Sequence, residues 1–322
     1  MDKSIDKIDS HLLYELDWNA RQSETELAKK IRRSRESVRY RMHQLERKKI
    51  INGYYTWINF AKLGYQAYKI YLKIGGKESE IKEFLDAMRK RTDVFWLGIG
   101  NGAWDVGLTF FAKTPEEFFE RKNDIFPKYS HIILQKSMGM IVEGYMYPET
   151  SLHPEEKDFV VMFGRLEENS LDDIDRKILA SLFHDARVKI VQIASECDVS
   201  VDIVRNRMRI LKEKGIIFCH KANIDYHKLG MELYKVFLYF DSFSKADKKK
   251  LFEIAKSEPS IHRVLIVIAP WDLELEIMVE NYQEFNRIMH MLKVQFPDLR
   301  NIESATLAED SIFPAEDTVM GL

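Results

Sequence analysis

Arginine side chains are concentrated between residues 32 and 47 of the chain, among hydroxyl, amide and imidazole groups. In this stretch Val38, Met42 and Leu45 recur at i, i+4 and i+7, which predicts a helix that is buried along one stripe. Ser34 precedes the stripe and can cap the N-terminus of the helix. A helix that is buried on one side and basic along the edges of that side is what a DNA recognition helix needs.

The other side of this predicted helix carries the side chains that could contact DNA. We expect the outward side chains to approach base edges and the flanking arginines to bind phosphates. The residues assigned to this contact are Arg32, Arg33, Ser34, Arg35, Ser37, Arg39, Tyr40, Arg41, His43, Gln44 and Arg47. The alternative is a solvated basic face, or arginines that pair with Asp6 and Asp9.

The same pattern recurs 166 residues later in Ser200–Ile217, with Val204, Met208 and Leu211 as the stripe. The residues predicted to contact DNA in this copy are Ser200, Arg205, Asn206, Arg207 and Arg209. Its outward side also contains Asp202 and Glu213, and carboxylates repel the DNA backbone. We therefore expect either weak DNA binding or a protein contact here. If both copies bind, their unlike outward faces predict unlike half-sites.

The recurrence extends well beyond the two helices. Aligning Ile5–Ile74 with Leu171–Phe240 needs no gap and gives 24 identities in 70 positions. The chain is therefore a duplicated unit. Each copy begins with three helices, and in the first copy Ile50-Ile51, Asn52-Gly53 and Tyr54–Ile58 predict a β-hairpin wing, because Asn-Gly favours a tight turn. In the second copy the corresponding turn, Phe218-Cys219, has no glycine, which predicts a different wing.

After each winged helix-turn-helix the pattern changes to strands in the order β-α-β-β-α-β, typical of a ferredoxin-like domain. The predicted fold is α+β, with two winged helix-turn-helix domains (1–62 and 171–228) and two ferredoxin-like βαββαβ domains (63–148 and 229–322) in tandem. The segment 149–170 is a predicted linker. Its apolar run Phe159–Phe163 is expected to add an edge strand to one of the sheets.

Bulk properties exclude several classes of protein. The chain has 322 residues, a net charge of −2 and only two cysteines, Cys197 and Cys219, so neither a disulfide framework nor a zinc site is expected. Its N-terminus lacks the pattern of a secretory signal, and no apolar run reaches the length of a membrane helix. The nine histidines form no metal-binding motif. We expect a cytoplasmic protein without a cofactor, metal or membrane partner.

Short sequences in both repeats resemble the Lrp/AsnC family of transcription regulators. The matching residues are Ile8-Asp9, Leu12-Leu13, Ala20-Arg21, Leu27-Ala28, Val38-Arg39, Arg41-Met42, Leu63-Gly64 and Gly102-Ala103-Trp104-Asp105, with Ile174-Asp175, Ala186-Arg187, Val204-Arg205, Arg207-Met208 and Leu229-Gly230 in the second repeat. The resemblance implies binding to double-stranded promoter DNA, no enzyme activity, and a homo-oligomer formed through the regulatory domains. Because the family usually has one unit per chain, a fused pair suggests an intramolecular pseudodimer.

The resemblance also implies a small effector, such as an amino acid, that binds near the glycine-containing loop of the regulatory domain. The residues assigned to this site are Gly100, Gly102, Trp104 and Asp105. In the second repeat the loop reads Ala269-Pro270, and proline cannot donate a backbone hydrogen bond, so the first loop is favoured. The alternative for Trp104-Asp105 is structural, with the aspartate closing a turn.

An enzyme is the competing hypothesis, because siroheme decarboxylases resemble the same two-domain architecture and occur as fused pairs. Such an enzyme would need basic and imidazole groups around a tetrapyrrole. His131, His262 and His290 are candidates for this role, but their spacing forms no motif. The basic residues instead concentrate in the first helix-turn-helix, which favours the regulator.

Overall fold

The computed structural model describes residues 5–154 and 159–315. The helices are α1 (Lys7–Trp18), α2 (Glu24–Lys30), α3 (Arg35–Arg47), α4 (Glu78–Lys90), α5 (Pro115–Asn123), α6 (Phe126–Tyr129), α7 (Asp173–His184), α8 (Ile190–Cys197), α9 (Val201–Glu213), α10 (Lys245–Ser257) and α11 (Tyr282–Gln295). The strands are β1 (Ile51–Ile58), β2 (Gln66–Ile74), β3 (Val94–Gly102), β4 (Val106–Ala112), β5 (Ile133–Met146), β6 (Val160–Phe163), β7 (Ile217–Ile224), β8 (Glu232–Phe240), β9 (Ile261–Ile268), β10 (Leu273–Val279) and β11 (Leu299–Ile312). Two 3₁₀ turns, Phe60–Lys62 and Tyr226–Leu229, precede β2 and β8.

These elements form two compact units, each of which combines parts of both repeats. The helical unit consists of Met1–Asn59, Tyr147–Phe159 and Ser170–Glu232. The sheet unit consists of Phe60–Met146, Val160–Asn169 and Leu233–Leu322. The predicted α+β fold with duplicated helix-turn-helix and sheet domains is confirmed.

Helix starts in the helical unit follow local sequence signals. Asp6 caps α1, and a capping box joins it to Asp9. Ser23 makes the same kind of box with Glu26 at the start of α2. In the second repeat Asp172 caps α7 through the backbone N–H of Asp175. The apolar face of α1 is buried, as Leu12, Leu13 and Leu16 are 0% exposed.

The β-hairpin prediction for the wing is wrong. Residues 51–58 form one strand, β1, which pairs antiparallel with β7 of the second repeat. The pairing joins Tyr54 to Ala222 and Thr56 to His220. Gly53 has φ 139° at a register shift within the strand, so its conformational freedom serves a bulge instead of a turn. Phe218-Cys219 likewise lies within β7. Pairing with a distant strand therefore overrides the local turn signal.

The sheet unit contains two four-stranded antiparallel sheets that are joined at both edges. The first has the order β5-β2-β4-β3 and the second has the order β11-β8-β10-β9. β3 pairs with β11 and β5 pairs with β9, so the eight strands form a closed ring. Closure removes the open edges that isolated sheets would expose. On the helix side of the first sheet, Ile70, Leu108 and Phe84 belong to one buried apolar core.

The linker contributes one strand to this unit. β6 pairs antiparallel with β5 at Gly144–Met146, and Lys62 forms an ion pair with Glu167 just after it. Met162 and Phe163 are buried, whereas Val161 is exposed. Residues 155–158, which precede this strand, lie outside the described residues.

Candidate nucleic-acid interface

The turn between α2 and α3 fixes how the first basic helix is presented. Arg32 occupies the left-handed region at φ 54°, an uncommon conformation for a residue with a side chain. Ser34 then caps α3, accepting a hydrogen bond from the Ser37 backbone N–H at 3.2 Å. Val38, Met42 and Leu45 are all buried, so the predicted inward stripe is confirmed.

The outward side of α3 is polar and accessible. Tyr40 is 65% exposed, so a large aromatic ring is accessible on this surface. Arg47 donates a hydrogen bond to the Gln44 side chain at 2.5 Å. His43 is also exposed and lies 3.3 Å from the Glu46 carboxylate. Donors, acceptors and an aromatic ring are therefore available along one face, as base readout requires.

Two of the flanking arginines are held by a single carboxylate of α2. Arg39 makes a bidentate pair with Glu24, with distances of 3.0 and 2.7 Å. Arg35 bonds to the same carboxylate at 3.0 Å. These hydrogen bonds and charges lower the pKa of Glu24 to about 2. Glu24 thus neutralises part of the charge that α3 would present to phosphates.

A third arginine in each repeat ties the basic helix to the first helix of its own module. Arg41 lies 2.9 Å from Asp6 and 2.6 Å from Asp9. In the second repeat Arg207 lies 2.8 Å from Asp172, with Asp175 further away at 3.5 Å. These are the carboxylates at the N-termini of α1 and α7, so the equivalent pair in each repeat braces α3 or α9. Sequence reasoning had offered the pairing of Arg41 only as an alternative.

The helix α9 satisfies its remaining arginines internally. Ser200 caps it, Arg205 pairs with Asp202 at 2.9 Å, and Arg209 pairs with Glu213 at 2.7 Å and with Asn206 at 2.8 Å. Ile203, on the same exposed side, is 42% exposed. Compared with α3, this surface offers less uncompensated positive charge to a phosphate backbone.

The two modules are joined by a reciprocal set of hydrogen bonds that sequence reasoning missed. Arg21 donates to the carbonyls of Ala186 and Val188 at 2.5 and 3.1 Å, and Arg187 donates to those of Ala20 and Gln22. Arg21 and Arg187 are 166 residues apart, so each repeat makes the same contact with the other. The identity of Ala20-Arg21 and Ala186-Arg187 in an otherwise variable stretch was the available signal.

The loop assigned to an effector lies in the sheet unit, at the end of β3. Asp105 accepts hydrogen bonds from the Ile74 backbone and from Lys73, both at 2.9 Å. Trp104 is buried, and its indole N–H has no hydrogen-bond partner within the described part of the chain. Gly100 and Gly102 lie against β11, where added Cβ atoms would come within 2.9 and 2.3 Å of backbone oxygens. Close strand approach therefore requires both glycines.

A buried charged cluster in the sheet unit also escaped sequence reasoning. Lys69 pairs with Glu274 at 2.8 Å, Lys235 pairs with Glu276 at 2.7 Å, and Arg263 pairs with Glu276 at 2.6 Å. All five side chains are at most 9% exposed. Burial lowers the pKa of Lys69 to about 7. The lysines alternate with apolar residues in their strands, a pattern that also fits solvent-facing positions.

The candidate histidines of the enzyme hypothesis lie in different environments. His131 and His290 are exposed, whereas His262 of β9 is buried. Within residues 5–154 and 159–315 there is no group of three or more His, Cys, Asp or Glu side chains arranged to hold a metal ion. None of the helices described is both long and apolar enough to cross a membrane.

Comparisons with known proteins define the class of the fold. The family profile described as "Winged helix-turn-helix DNA-binding" matches residues 5–52 and 171–217. An uncharacterized HTH-type transcriptional regulator from Pyrococcus furiosus is 30% identical over 122 residues, covering 37% of this chain and 79% of the relative. One from Pyrococcus abyssi is 29% identical over 122 residues, covering 37% and 80%. The chain is thus a tandem winged helix-turn-helix protein.

The chain belongs to the family of these HTH-type transcriptional regulators and contains two copies of the winged helix-turn-helix. The tandem arrangement itself has a solved counterpart. The crystal structure of the siroheme decarboxylase NirDL has a TM-score of 0.63 to this chain, covering 95% of this chain and 92% of that one at 9% sequence identity. At this identity the likeness establishes a shared fold.

Proposed function

We propose that the protein is a sequence-specific DNA-binding transcription regulator in which a single chain acts as a pseudodimer. The observation that carries this proposal is the joining of two helix-turn-helix modules by β1–β7 pairing, with an exposed basic helix in each. A helix-turn-helix dimer places two recognition helices in successive major grooves. Here both helices belong to one chain, so binding needs no second copy.

Within the proposed interface the residues divide by role. Tyr40, His43 and Gln44 approach base edges, and Arg47 lies beside them. The phosphate-binding groups of the first module are Arg32, Arg33, Arg35 and Arg39, with Ser34 and Ser37 at the helix N-terminus. Arg41 and its counterpart Arg207 add positive charge while bracing their helices. In the second module Ser200, Arg205, Asn206 and Arg209 make fewer or weaker contacts, because Asp202 and Glu213 occupy the same face.

A small-molecule effector, for example an amino acid, is proposed to bind near Gly100, Gly102, Trp104 and Asp105. The buried indole N–H of Trp104, which has no partner in the described residues, supports this location. A calorimetric titration of the twenty amino acids tests the idea. A ligand that binds wild type and loses affinity with Trp104→Phe supports the site, whereas unchanged affinity in that variant would place the ligand elsewhere.

The experiment that tests the main proposal is selection of genomic fragments followed by mobility shifts at several salt concentrations. We expect a defined sequence to be enriched and bound with a steep salt dependence. Arg39→Ala removes one phosphate contact and should lower the salt slope by about 0.9, whereas Arg205→Ala should lower it by less. Failure to enrich any sequence at any salt concentration would refute the regulator.

A siroheme decarboxylase-like enzyme is the second candidate, and the tandem fold shared with NirDL over 95% of the chain is the observation that favours it. Shared fold alone does not carry function. The two candidates differ in a simple observable. An enzyme of this type should bind an iron tetrapyrrole and absorb visible light on reconstitution, and the regulator should not. Binding of the tetrapyrrole without sequence-specific DNA binding would reverse the assignment.

A further inference from the structure

The two repeats face each other in both units, so their interfaces can be compared position by position. Residues 166 apart are equivalent in the helical unit and in β2 and β8, where Lys69 corresponds to Lys235. Strand registers extend the correspondence in the sheet unit. Lys69 pairs with Gly139 as Lys235 pairs with Ala305, and Trp96 pairs with Thr109 as Arg263 pairs with Glu276. A symmetric interface would carry interchangeable residues at these positions. Three places in this chain do not.

The first asymmetry lies beside the β1–β7 pairing of the helical unit. Asp17 and Lys221 form an ion pair at 2.9 Å, and both side chains are only 4% exposed. Their equivalents on the other side are Phe183 and Tyr55, whose ring centroids lie 6.5 Å apart. One side of the interface thus contains a buried ion pair, and the equivalent side contains two packed aromatic rings.

The second asymmetry is the charge inventory of the sheet unit. Each repeat contributes one buried lysine, Lys69 or Lys235, but both compensating carboxylates come from β10. The first repeat has Gly107 and Thr109 where the second has Glu274 and Glu276. The first repeat therefore depends on the second to neutralise its buried ammonium group.

The third asymmetry lies where the two sheets join. Gly102 of β3 pairs with Ala305 of β11, and at the equivalent crossing Gly139 of β5 lies beside Ala269. A Cβ added at Gly139 would come within 2.7 Å of the Ala269 Cβ, closer than such atoms approach in proteins. Each crossing thus has one glycine and one alanine, contributed by opposite repeats.

We propose that these asymmetries make each repeat the required partner of the other and exclude pairing of either repeat with a second copy of itself. Self-pairing of the first repeat would bury two Lys69 side chains without Glu274 and leave two Asp17 carboxylates without Lys221. Self-pairing of the second repeat would place Ala269 against Ala305 and bury Lys221 against Phe183. Unpaired buried charges and overlapping Cβ atoms both act against the wrong partner.

The consequence is that every molecule presents one α3 and one α9. The chain therefore cannot assemble a surface with two α3 helices by exchanging repeats with another copy. This inference concerns how the repeats pair, and it is independent of whether the protein binds DNA.

The test uses the full chain with a protease site placed within residues 155–158. The natively cleaved protein, mixed with an isotopically heavy copy, is unfolded in urea, refolded by dialysis and measured by native mass spectrometry. We expect complexes that contain one first and one second fragment in all isotope combinations, and none with two like fragments. First–first, first–second and second–second complexes in the random ratio of about 1:2:1 would overturn the proposal.

A matched variant shows whether like pairs can form under the refolding conditions, and stability measurements on the uncleaved chain do not depend on refolding of the fragments. Ala269→Gly combined with Lys221→Tyr removes the clash and the buried charge from the second repeat but retains β6, so complexes of two second fragments should appear. In the uncleaved chain Asp17→Asn and Lys221→Met should each lower the melting temperature, and the double variant should lose less than the sum. Strict additivity, or no like pairs from the relieved variant, would contradict the proposal even if refolding were inefficient.

Discussion

The two helix-turn-helix modules have the same internal framework and different exposed faces. Both helices are capped by serine and braced by an equivalent arginine, Arg41 or Arg207. Both carry a Val-Met-Leu stripe, which is fully buried in α3, whereas in α9 Val204 and Leu211 are buried and Met208 is half-buried. Their outward positions differ at almost every residue. Tyr40 corresponds to Asn206, and Arg47 corresponds to Glu213. The framework sets the fold, and the outward side chains set what the fold can recognise.

The difference extends to how each basic helix is held before DNA arrives. Glu24 of α2 binds Arg35 and Arg39 of α3, whereas its equivalent in the second repeat is Ile190. The arginines of α9 are instead neutralised from their own helix by Asp202 and Glu213. In the first module the competing carboxylate lies on the neighbouring helix α2, and DNA phosphates can replace it as the partner of Arg35 and Arg39. In the second module the carboxylates of Asp202 and Glu213 lie on the contact surface of α9 itself.

The largest expected effect comes from giving α3 the outward face of α9. Tyr40→Asn, His43→Arg, Gln44→Ile and Arg47→Glu, together with Ser37→Ile at the helix N-terminus, retain the buried stripe but replace the outward face of the proposed contact. We expect the preference for the selected sequence over random DNA to fall at least about 1,000-fold, because each of four lost contacts is worth about 1 kcal/mol or more. Competition mobility shifts measure the ratio. The reverse transplant into α9 is the matched control and should not abolish the preference.

The pH dependence of the free energy of unfolding distinguishes His220 of β7 from its equivalent residue in β1. His220 corresponds to Tyr54, and burial, followed by Arg21 and Lys212, lowers the pKa of His220 to about 3. The unfolded imidazole binds a proton below about pH 6.5 and the folded one does not, so stability should fall as pH decreases from about 6.5 towards 3. The slope should approach about 1.4 kcal/mol per pH unit near pH 5.

His220→Asn removes this proton-binding group and should flatten that part of the profile, measured as the free energy of unfolding in urea at a series of pH values. Tyr54→Phe, at the equivalent position, is the control and should leave the slope unchanged. An identical slope in His220→Asn and wild type would assign the acid sensitivity to other groups.

A reciprocal charge exchange sharpens the contrast between the helices. Arg47→Glu should weaken DNA binding about 10-fold at low salt, since a carboxylate that repels the DNA backbone replaces a guanidinium on the proposed contact surface. Glu213→Arg should strengthen binding and steepen its salt dependence for the opposite reason. Fluorescence anisotropy at several salt concentrations gives both values. Equal and small effects from the two variants would mean that neither helix lies close to the DNA backbone.

The smallest expected effect concerns Glu24. Glu24→Gln removes the charge that competes with phosphate for Arg35 and Arg39, and we expect a gain in affinity of about 3-fold, in keeping with the modest strength of exposed ion pairs. Ile190→Gln is the control at the equivalent position and should change affinity little. A loss of affinity in Glu24→Gln would show that the carboxylate positions these arginines instead of competing for them.

Sequence patterns predicted features that depend on neighbouring residues. The stripe of α3 follows from helical periodicity, and the caps at Ser34 and Ser200 follow from residue type. The β-α-β-β-α-β order follows from alternating strand and helix patterns. Duplication could be recognised because the identities keep one offset over 70 positions.

Features that depend on distant residues were not predictable in the same way. Asn52-Gly53 satisfied a local turn rule, but β1 gains more from pairing with β7, some 165 residues away. The burial of Lys69 and Lys235 depends on the closed ring of strands, which brings Glu274 and Glu276 within ion-pair distance of them. The sequence around each lysine does not specify this closure. Glu24 can bind arginines of α3 only because α2 packs against α3 in the fold, and no residue spacing in the sequence specifies that packing.

The most direct test of the account is a base-by-base substitution series across the selected DNA sequence, with dissociation constants measured at one fixed salt concentration. If α3 is the main reader, substitutions in one half-site should each cost about 1–3 kcal/mol, and those in the other half-site should change affinity little. Equal costs in two matching half-sites would contradict the central claim, because they would require α3 and α9 to read DNA alike despite their different outward faces.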